Sequence, residues 1–206
     1  HELDTPALLV DLDKLEANIA RFAAIFKTAG VNWRPHTKRV KVPAIAHMEI
    51  AAGAMGVTCA KLGEAEVMAA AGIKDILIAN QVVGPIKAAR LANLSRRANV
   101  VCAIDCEVNV RELDAAARAA GTRIGVVVEV DVGQERCGVP AGEPTIALSK
   151  FAHSLPGLRY QGVMAWEAHA RKYVDTEKRR AVAQEAVGVL VDAAEQCRAA
   201  GLPVEI

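Results

Sequence analysis

The chain has 206 residues, 52% of them hydrophobic and 24% charged, with a formal net charge of +1. That is the composition of a soluble globular chain long enough to bury its own core, and it leaves no excess of Lys and Arg for a nucleic-acid or membrane-surface partner. The longest apolar runs, such as 124–128, fall far short of the roughly 20 residues of a membrane span, and His1-Glu2-Leu3-Asp4 lacks the layout of a signal peptide.

In chain order, a strand is predicted at 7–10, then a helix in which Leu15, Ile19, Phe22 and Phe26 keep helical spacing. An Ala-Gly pair closes this helical pattern at Gly30 and recurs at Gly72, Gly121 and Gly201. A glycine just past a helix end adopts the left-handed conformation cheaply, and a βα unit every ~40 residues suits a wound parallel architecture. Strands follow at 33–38, 55–60, 75–79, 100–105, 124–132, 162–167 and from 204 onward, with helices near 62–71, 85–97, 107–120, 143–154 and 175–200. Near-continuous apolar strands fit a parallel sheet covered on both faces. Seven strands counted from residue 33 predict an α/β fold, a (β/α)8 barrel left incomplete at about its seventh strand; a doubly wound open sheet is the alternative. No linker or domain boundary interrupts residues 1–206. An unfinished barrel exposes strand edges, so an N-terminal part of a longer protein is expected. The five cysteines, 59, 102, 106, 137 and 197, form no CxxC pair and read as reduced thiols of a cytoplasmic protein.

Chemistry concentrates at two places. The first is Arg34-Pro35-His36-Thr37-Lys38-Arg39-Val40-Lys41, a basic run where a predicted strand ends. The C-terminal mouth of a barrel strand is where such folds build their sites. Crowding by Arg34, His36, Arg39 and Lys41 favours the neutral amine of Lys38, which can then form a Schiff base with an aldehyde. Strand alternation gives His36 the same face as Lys38. The plain alternative is a solvated basic loop. The second place is 130–139, Val-Asp-Val-Gly-Gln-Glu-Arg-Cys-Gly-Val, at the end of the 124–132 strand. Alternation puts Glu129 and Asp131 on one face, and the glycines flanking Arg136 let its guanidinium aim back over the mouth. The plain alternative pairs Arg136 with Asp131 or Glu135. His47 and His153 read as surface or packing residues, and Glu64 and Glu66 as first-turn residues of a helix.

Together with Asp4-Thr5-Pro6, Val10-Asp11-Leu12 to Asn18-Ile19, and Asn80-Gln81-Val82-Val83-Gly84-Pro85, these segments resemble the fold-type III pyridoxal-phosphate enzymes. The resemblance is to their D-threonine aldolase and D-serine dehydratase group, and it runs over essentially the whole chain. It implies a barrel of the alanine racemase type, followed by a β-rich C-terminal domain. It implies pyridoxal 5'-phosphate as cofactor, Lys38 as the residue carrying it and Arg136 as the contact to its phenolic oxygen. His36, Asp131 and Trp166 are the further candidates for cofactor binding. The glycine-rich phosphate loop is expected just beyond Ile206, and a divalent metal (Mn, Mg or Zn) in the C-terminal region. The chain differs from the group's pattern in Arg39-Val40-Lys41 after the lysine. It also differs in Trp166-Glu167, with His169 two residues on, where the aldolases tend to carry Tyr-His. A carboxylate beside an indole is expected to be partly desolvated, which makes Glu167 a candidate base alongside His169.

The activity so implied is a lyase on β-hydroxy D-amino acids, cleaving Cα–Cβ in a retro-aldol step. Dehydration and racemisation are the runners-up. From another class, a non-catalytic carrier could hold the cofactor through Lys38. The partners implied are a small amino-acid substrate and a second copy of the chain as a homodimer.

Overall fold

The computed structural model describes residues 3–206; His1 and Glu2, the start of the segment read above for a signal-peptide layout, lie outside the described residues. Helix α1 (Leu12–Ala29) opens the fold and is followed by α2 (Pro43–Ala51). Then come β1 (Val57–Cys59), α3 (Leu62–Ala70), β2 (Asp75–Gln81), α4 (Pro85–Leu94), β3 (Asn99–Ile104) and α5 (Glu107–Ala119). The remainder is β4 (Ile124–Asp131), β5 (Val139–Pro140), α6 (Glu143–Ser154), β6 (Leu158–Ala165), a 3-10 turn (Ala168–Lys172) and α7 (Thr176–Ala199).

Two helices start on a side-chain cap. Asp11 accepts a hydrogen bond from the Lys14 amide at the start of α1, and Asp175 does the same for Lys178 at the start of α7. The four Ala-Gly glycines, 30, 72, 121 and 201, all have positive φ, as the spacing predicts.

Every strand pairing is parallel, in the order β1-β2-β3-β4-β6, with the two-residue β5 against the end of β4. Residues 124–130 of β4 are all buried, which is why that strand reads as an unbroken apolar run. Backbone hydrogen bonds run on past both ends of the sheet, but the strand expected from 204 onward does not form and remains these bonds alone. On one side the Thr58 amide donates to the Pro35 carbonyl (2.8 Å) and the Thr37 amide to the Thr58 carbonyl (2.8 Å). On the other, the Glu205 and Ile206 amides both donate to the Gln161 carbonyl. This succession of parallel neighbours is an alanine-racemase-like α/β fold consistent with an incomplete barrel.

Two irregularities aim side chains at the mouth. Pairing of β2 with β3 jumps from Ile78–Cys102 to Gln81–Ala103, so Ala79 and Asn80 are extra residues that carry Gln81 forward. In β6 the ladder skips Gln161, and Gly162 (φ 138°) turns there as only glycine does comfortably.

Several sequence expectations are corrected. Residues 7–10 form no strand, because no described segment hydrogen-bonds to them; Leu8, Leu9 and Val10 are exposed. The strand expected at 33–38 reduces to one bridge, His36 to Thr58, since Pro35 has no amide to donate. Helix α2, nucleated by Pro43 in its first turn, bears out the helical pattern around His47 but was given no bounds from sequence, and the short β5 was not anticipated. Strand β6 begins at Leu158 and ends at Ala165, so Trp166-Glu167 lies beyond the strand rather than in it. Cys102 is buried in β3 and Cys106 is exposed before α5. Burial pushes the Cys102 thiol up to about 12 and the Cys59 thiol up to about 11, so neither is a thiolate near neutrality. No described helix is long and apolar enough to cross a membrane.

The N-terminal end of the sheet is tied by a polar chain. The Arg34 guanidinium donates to Asp75 (2.6 Å), Asn99 donates to the other Asp75 oxygen (2.7 Å), and Arg159 donates to Asn99. Gly56 makes room for this tie. A methyl there would run into the Asp75 carbonyl and sit 2.7 Å from Asp75 Cβ. Gly56→Ala is therefore expected to cost about 1–3 kcal/mol, the scale of overpacking a closed site. Urea unfolding of the two proteins checks this, and an unchanged midpoint would show that β1 gives way freely.

Candidate active site

The mouth is built from the Lys38 turn upward. Thr37 is buried, and its hydroxyl donates to the Thr58 carbonyl (3.2 Å), anchoring the turn to the sheet. The Lys41 amide closes the turn onto the Thr37 carbonyl (2.8 Å). Lys41 itself has φ 56°, a left-handed conformation disfavoured outside glycine. Its ammonium meets Glu64 (3.3 Å), which also accepts from the Ala60 amide (2.8 Å). Burial raises the Glu64 carboxyl, but the Ala60 amide and Lys41 outweigh it and hold the group below its usual range. Within this frame the Lys38 ammonium stands over the Trp166 ring, 5.0 Å from its centroid.

A cavity of about 200 Å³ lies at this point, lined by Arg34, His36, Lys38, Thr58, Ala79, Arg136, Met164 and Trp166. His36, Lys38, Arg136 and Trp166 thus converge from three separate parts of the chain. The cationic crowd expected around Lys38 is largely neutralised, because Arg34 pairs with Asp75 and Lys41 with Glu64. His36 is held below its usual range by burial and then by the nearby Lys38 charge.

That depression carries a pH dependence. The unfolded chain takes up the His36 proton near pH 6.5, the folded chain only at lower pH. Just below pH 6.5 the unfolded state therefore binds more protons, and stability falls as the pH drops. Wild type is expected to lose melting temperature more steeply from pH 6.5 to 5.5 than His36→Asn. Parallel slopes would contradict the depression.

The second segment places its residues differently from the sequence expectation. Asp131 does not line the cavity; its carboxylate accepts from the Gly133 and Glu135 amides (both 3.0 Å) and closes the loop after β4. Arg136 pairs with neither Asp131 nor Glu135. Its Nη2 faces Glu129 Oε1 at 3.5 Å, and its Nε donates to Cys137 Sγ at 3.4 Å. Glu129 is 2% exposed and also accepts from Gln81 (2.7 Å). The site thus includes Glu129, which alternation put on one face with Asp131, and Gln81, read from sequence only as part of the 80–85 segment; Thr58 and Met164 were passed over by motif reading. A polar pair, Asn80-Gln81, at the end of an apolar strand was the available signal.

Glu167 is exposed rather than desolvated against Trp166, because it precedes the 3-10 turn and accepts the Ala170 amide through its backbone carbonyl (3.0 Å). Among the described residues it pairs with neither Arg171 nor Lys172. His169 is half-buried and its ring covers Gly133; a methyl on Gly133 would lie 3.3 Å from Nε2. Its Nδ1 is buried without a hydrogen-bond partner, a costly state that an incoming polar group would relieve.

The alanine racemase N-terminal domain family matches residues 10–206. The chain is 40% identical over 200 residues to the D-threonine aldolase of Arthrobacter sp, covering 97% of this chain and 53% of that protein. It is 34% identical to the D-threo-3-hydroxyaspartate dehydratase of Delftia sp. (strain HT23), covering 99% and 54%. The crystal structure of D-threonine aldolase from Filomicrobium marinum superimposes with a TM-score of 0.95 at 41% identity, covering 98% of this chain and 55% of that one. The chain spans about half the length of the curated relatives it matches. The family depends on pyridoxal phosphate. With a parallel sheet of the same architecture and a family match running from Val10 to its last residue, the chain belongs to the alanine racemase N-terminal domain family.

Proposed function

We propose that this chain is the cofactor-binding barrel, spanning 1–206, of a pyridoxal-phosphate-dependent lyase that cleaves Cα–Cβ of β-hydroxy D-amino acids. In this reading a β-rich domain follows the barrel, and the protein is a cytoplasmic homodimer. The observation that carries it is the convergence of Lys38, His36, Arg136 and Trp166 on one cavity. The donor set fits the cofactor's aldehyde and phenol end: a primary amine for the aldehyde, and a guanidinium for the phenolic oxygen. His36, with its depressed basicity, and the apolar Ala79 and Met164 suit the ring.

When bound, the cofactor supplies the electron sink for the pair released at Cα. The chain's own side chains do the rest. Lys38 holds the aldehyde carbon, Arg136 orients the ring through its planar donors, and the Trp166 ring lies against the Lys38 amine and orients it. A retro-aldol step also needs a base for the β-hydroxyl proton. His169 fits that task through its unpartnered Nδ1, its ring packed against Gly133 of the loop that carries Arg136, while Glu167 is assigned to the turn that presents it. Among the described residues no three His, Cys, Asp or Glu side chains gather as a metal site. These residues do not fit a metal, and a divalent ion, if the activity needs one, is assigned to residues outside them.

The test is to incubate the cofactor-loaded protein with D-threonine, D-phenylserine, D-serine and D-3-hydroxyaspartate, with and without Mn²⁺, Mg²⁺ or Zn²⁺. Glycine and an aldehyde are the expected products. Ammonia and a keto acid would replace aldol cleavage by dehydration, and loss of optical activity alone by racemisation. Bound cofactor with no turnover would leave a carrier.

A further inference from the structure

We propose that the buried carboxylate of Glu129, braced by Gln81, is a positioning residue that sets the direction of the Arg136 guanidinium and of the donors it turns to the Lys38 cavity. The proposal rests on the reading of Arg136 as the group that meets the cofactor's phenolic oxygen.

Glu129 is 2% exposed, and a carboxylate so buried persists only when both oxygens are matched. They are. Oε2 accepts from Gln81 Nε2 at 2.7 Å, and Oε1 accepts from the Cys137 thiol at 3.1 Å while facing Arg136 Nη2 at 3.5 Å. Three elements meet at this one group: β2 through Gln81, β4 through Glu129 itself, and the loop after β4 through Arg136 and Cys137. Gln81 reaches across β3 because the two extra residues in β2 carry it forward to the mouth.

The Arg136 side chain is half exposed, so burial alone does not choose its rotamer. The contacts do. Nε is turned to the Cys137 sulfur and Nη2 to Glu129, which leaves Nη1 with no partner among the described residues. Arg136 lines the cavity, so its remaining donors serve that side. At 3.5 Å the pairing acts through charge more than through a tight hydrogen bond. A neutral amide at position 129 would still satisfy Gln81 yet lose its hold on the guanidinium.

The experiment frees the protein of cofactor and titrates it with pyridoxal phosphate, following the bound absorption spectrum and the dissociation constant, with thermal melting alongside. The variants are Glu129→Gln, Glu129→Asp, Gln81→Met and Arg136→Lys. Glu129→Gln is expected to weaken cofactor binding about tenfold or more, the scale on which outer partners tune a bound centre. It should also move the absorption maximum in the same direction as Arg136→Lys. Glu129→Asp, which keeps the charge, is expected to lie closer to wild type, and Gln81→Met to move both readouts less. Equal losses of melting temperature in the Gln and Asp variants with an unmoved spectrum would make Glu129 merely structural and overturn the proposal. A shifted Arg136→Lys beside an unshifted Glu129→Gln overturns the positioning role alone. Two unshifted spectra overturn the Arg136 reading as well. If Glu129→Gln does not fold, Gln81→Met decides: a shifted spectrum supports the proposal and an unmoved one overturns it.

Discussion

Alanine at position 38 is expected to lower turnover by about 10²–10⁴, the range lost with a positioned acid or base, while leaving the fold intact. The Lys38 side chain is exposed and, among the described residues, has no carboxylate partner, so its removal breaks no ion pair. Surface changes of this kind usually stay within about 0.5 kcal/mol of wild-type stability. The neighbouring Lys41 is no substitute, because its ammonium is held by Glu64 at 3.3 Å and its backbone is locked in a left-handed conformation. Borohydride reduction of the loaded wild-type protein, followed by peptide mapping, is expected to leave the pyridoxyl group on Lys38. Label on Lys41 or Lys61 would sink the assignment, as would a Lys38→Ala protein that still retains cofactor through reduction.

His169→Asn is expected to cost about 10²–10⁴ in kcat, with cofactor affinity nearly unchanged. Glu167→Gln is expected to cost less than about tenfold, because loss of a surface charge removes no positioned proton carrier. The distinction comes from placement. Glu167 is exposed and uses its backbone carbonyl to start the 3-10 turn, whereas His169 packs over Gly133 with a buried, unpartnered Nδ1. Sequence alone favoured the carboxylate, since it sits next to Trp166 along the chain. The strand ends one residue before Trp166, so alternation no longer governs where 167 points. Steady-state kinetics of the two variants check this. A collapse of kcat in Glu167→Gln beside a nearly active His169→Asn would return the role to the carboxylate.

Most of the wound architecture was legible in the sequence because it rests on local physics. The Ala-Gly helix ends, the apolar parallel strands and the helical spacing of Leu15, Ile19, Phe22 and Phe26 each follow from nearest-neighbour preferences. The 7–10 segment shows the limit of that approach. It is apolar, yet a strand exists only where another backbone accepts its hydrogen bonds, and no described segment does. The same reason reduces 33–38 to a single bridge: the proline at 35 removes a donor that composition does not weigh.

The residue types gathered at the cavity were legible in the chain's own order: a lysine and a histidine in a basic run, and an arginine between glycines after a strand. Which partners those residues take was decided only in three dimensions. Arg136 chose Glu129 over the nearer Asp131 and Glu135, because Asp131 is occupied by two loop amides and Glu129 is buried beneath the guanidinium. Gln81 joined them through a bulge whose two extra residues no periodicity announces. Arg34 left the cationic cluster for Asp75 across a gap that Gly56 keeps open. The last two pairings span 48 and 41 residues, and only the folded sheet brings such positions within hydrogen-bond reach.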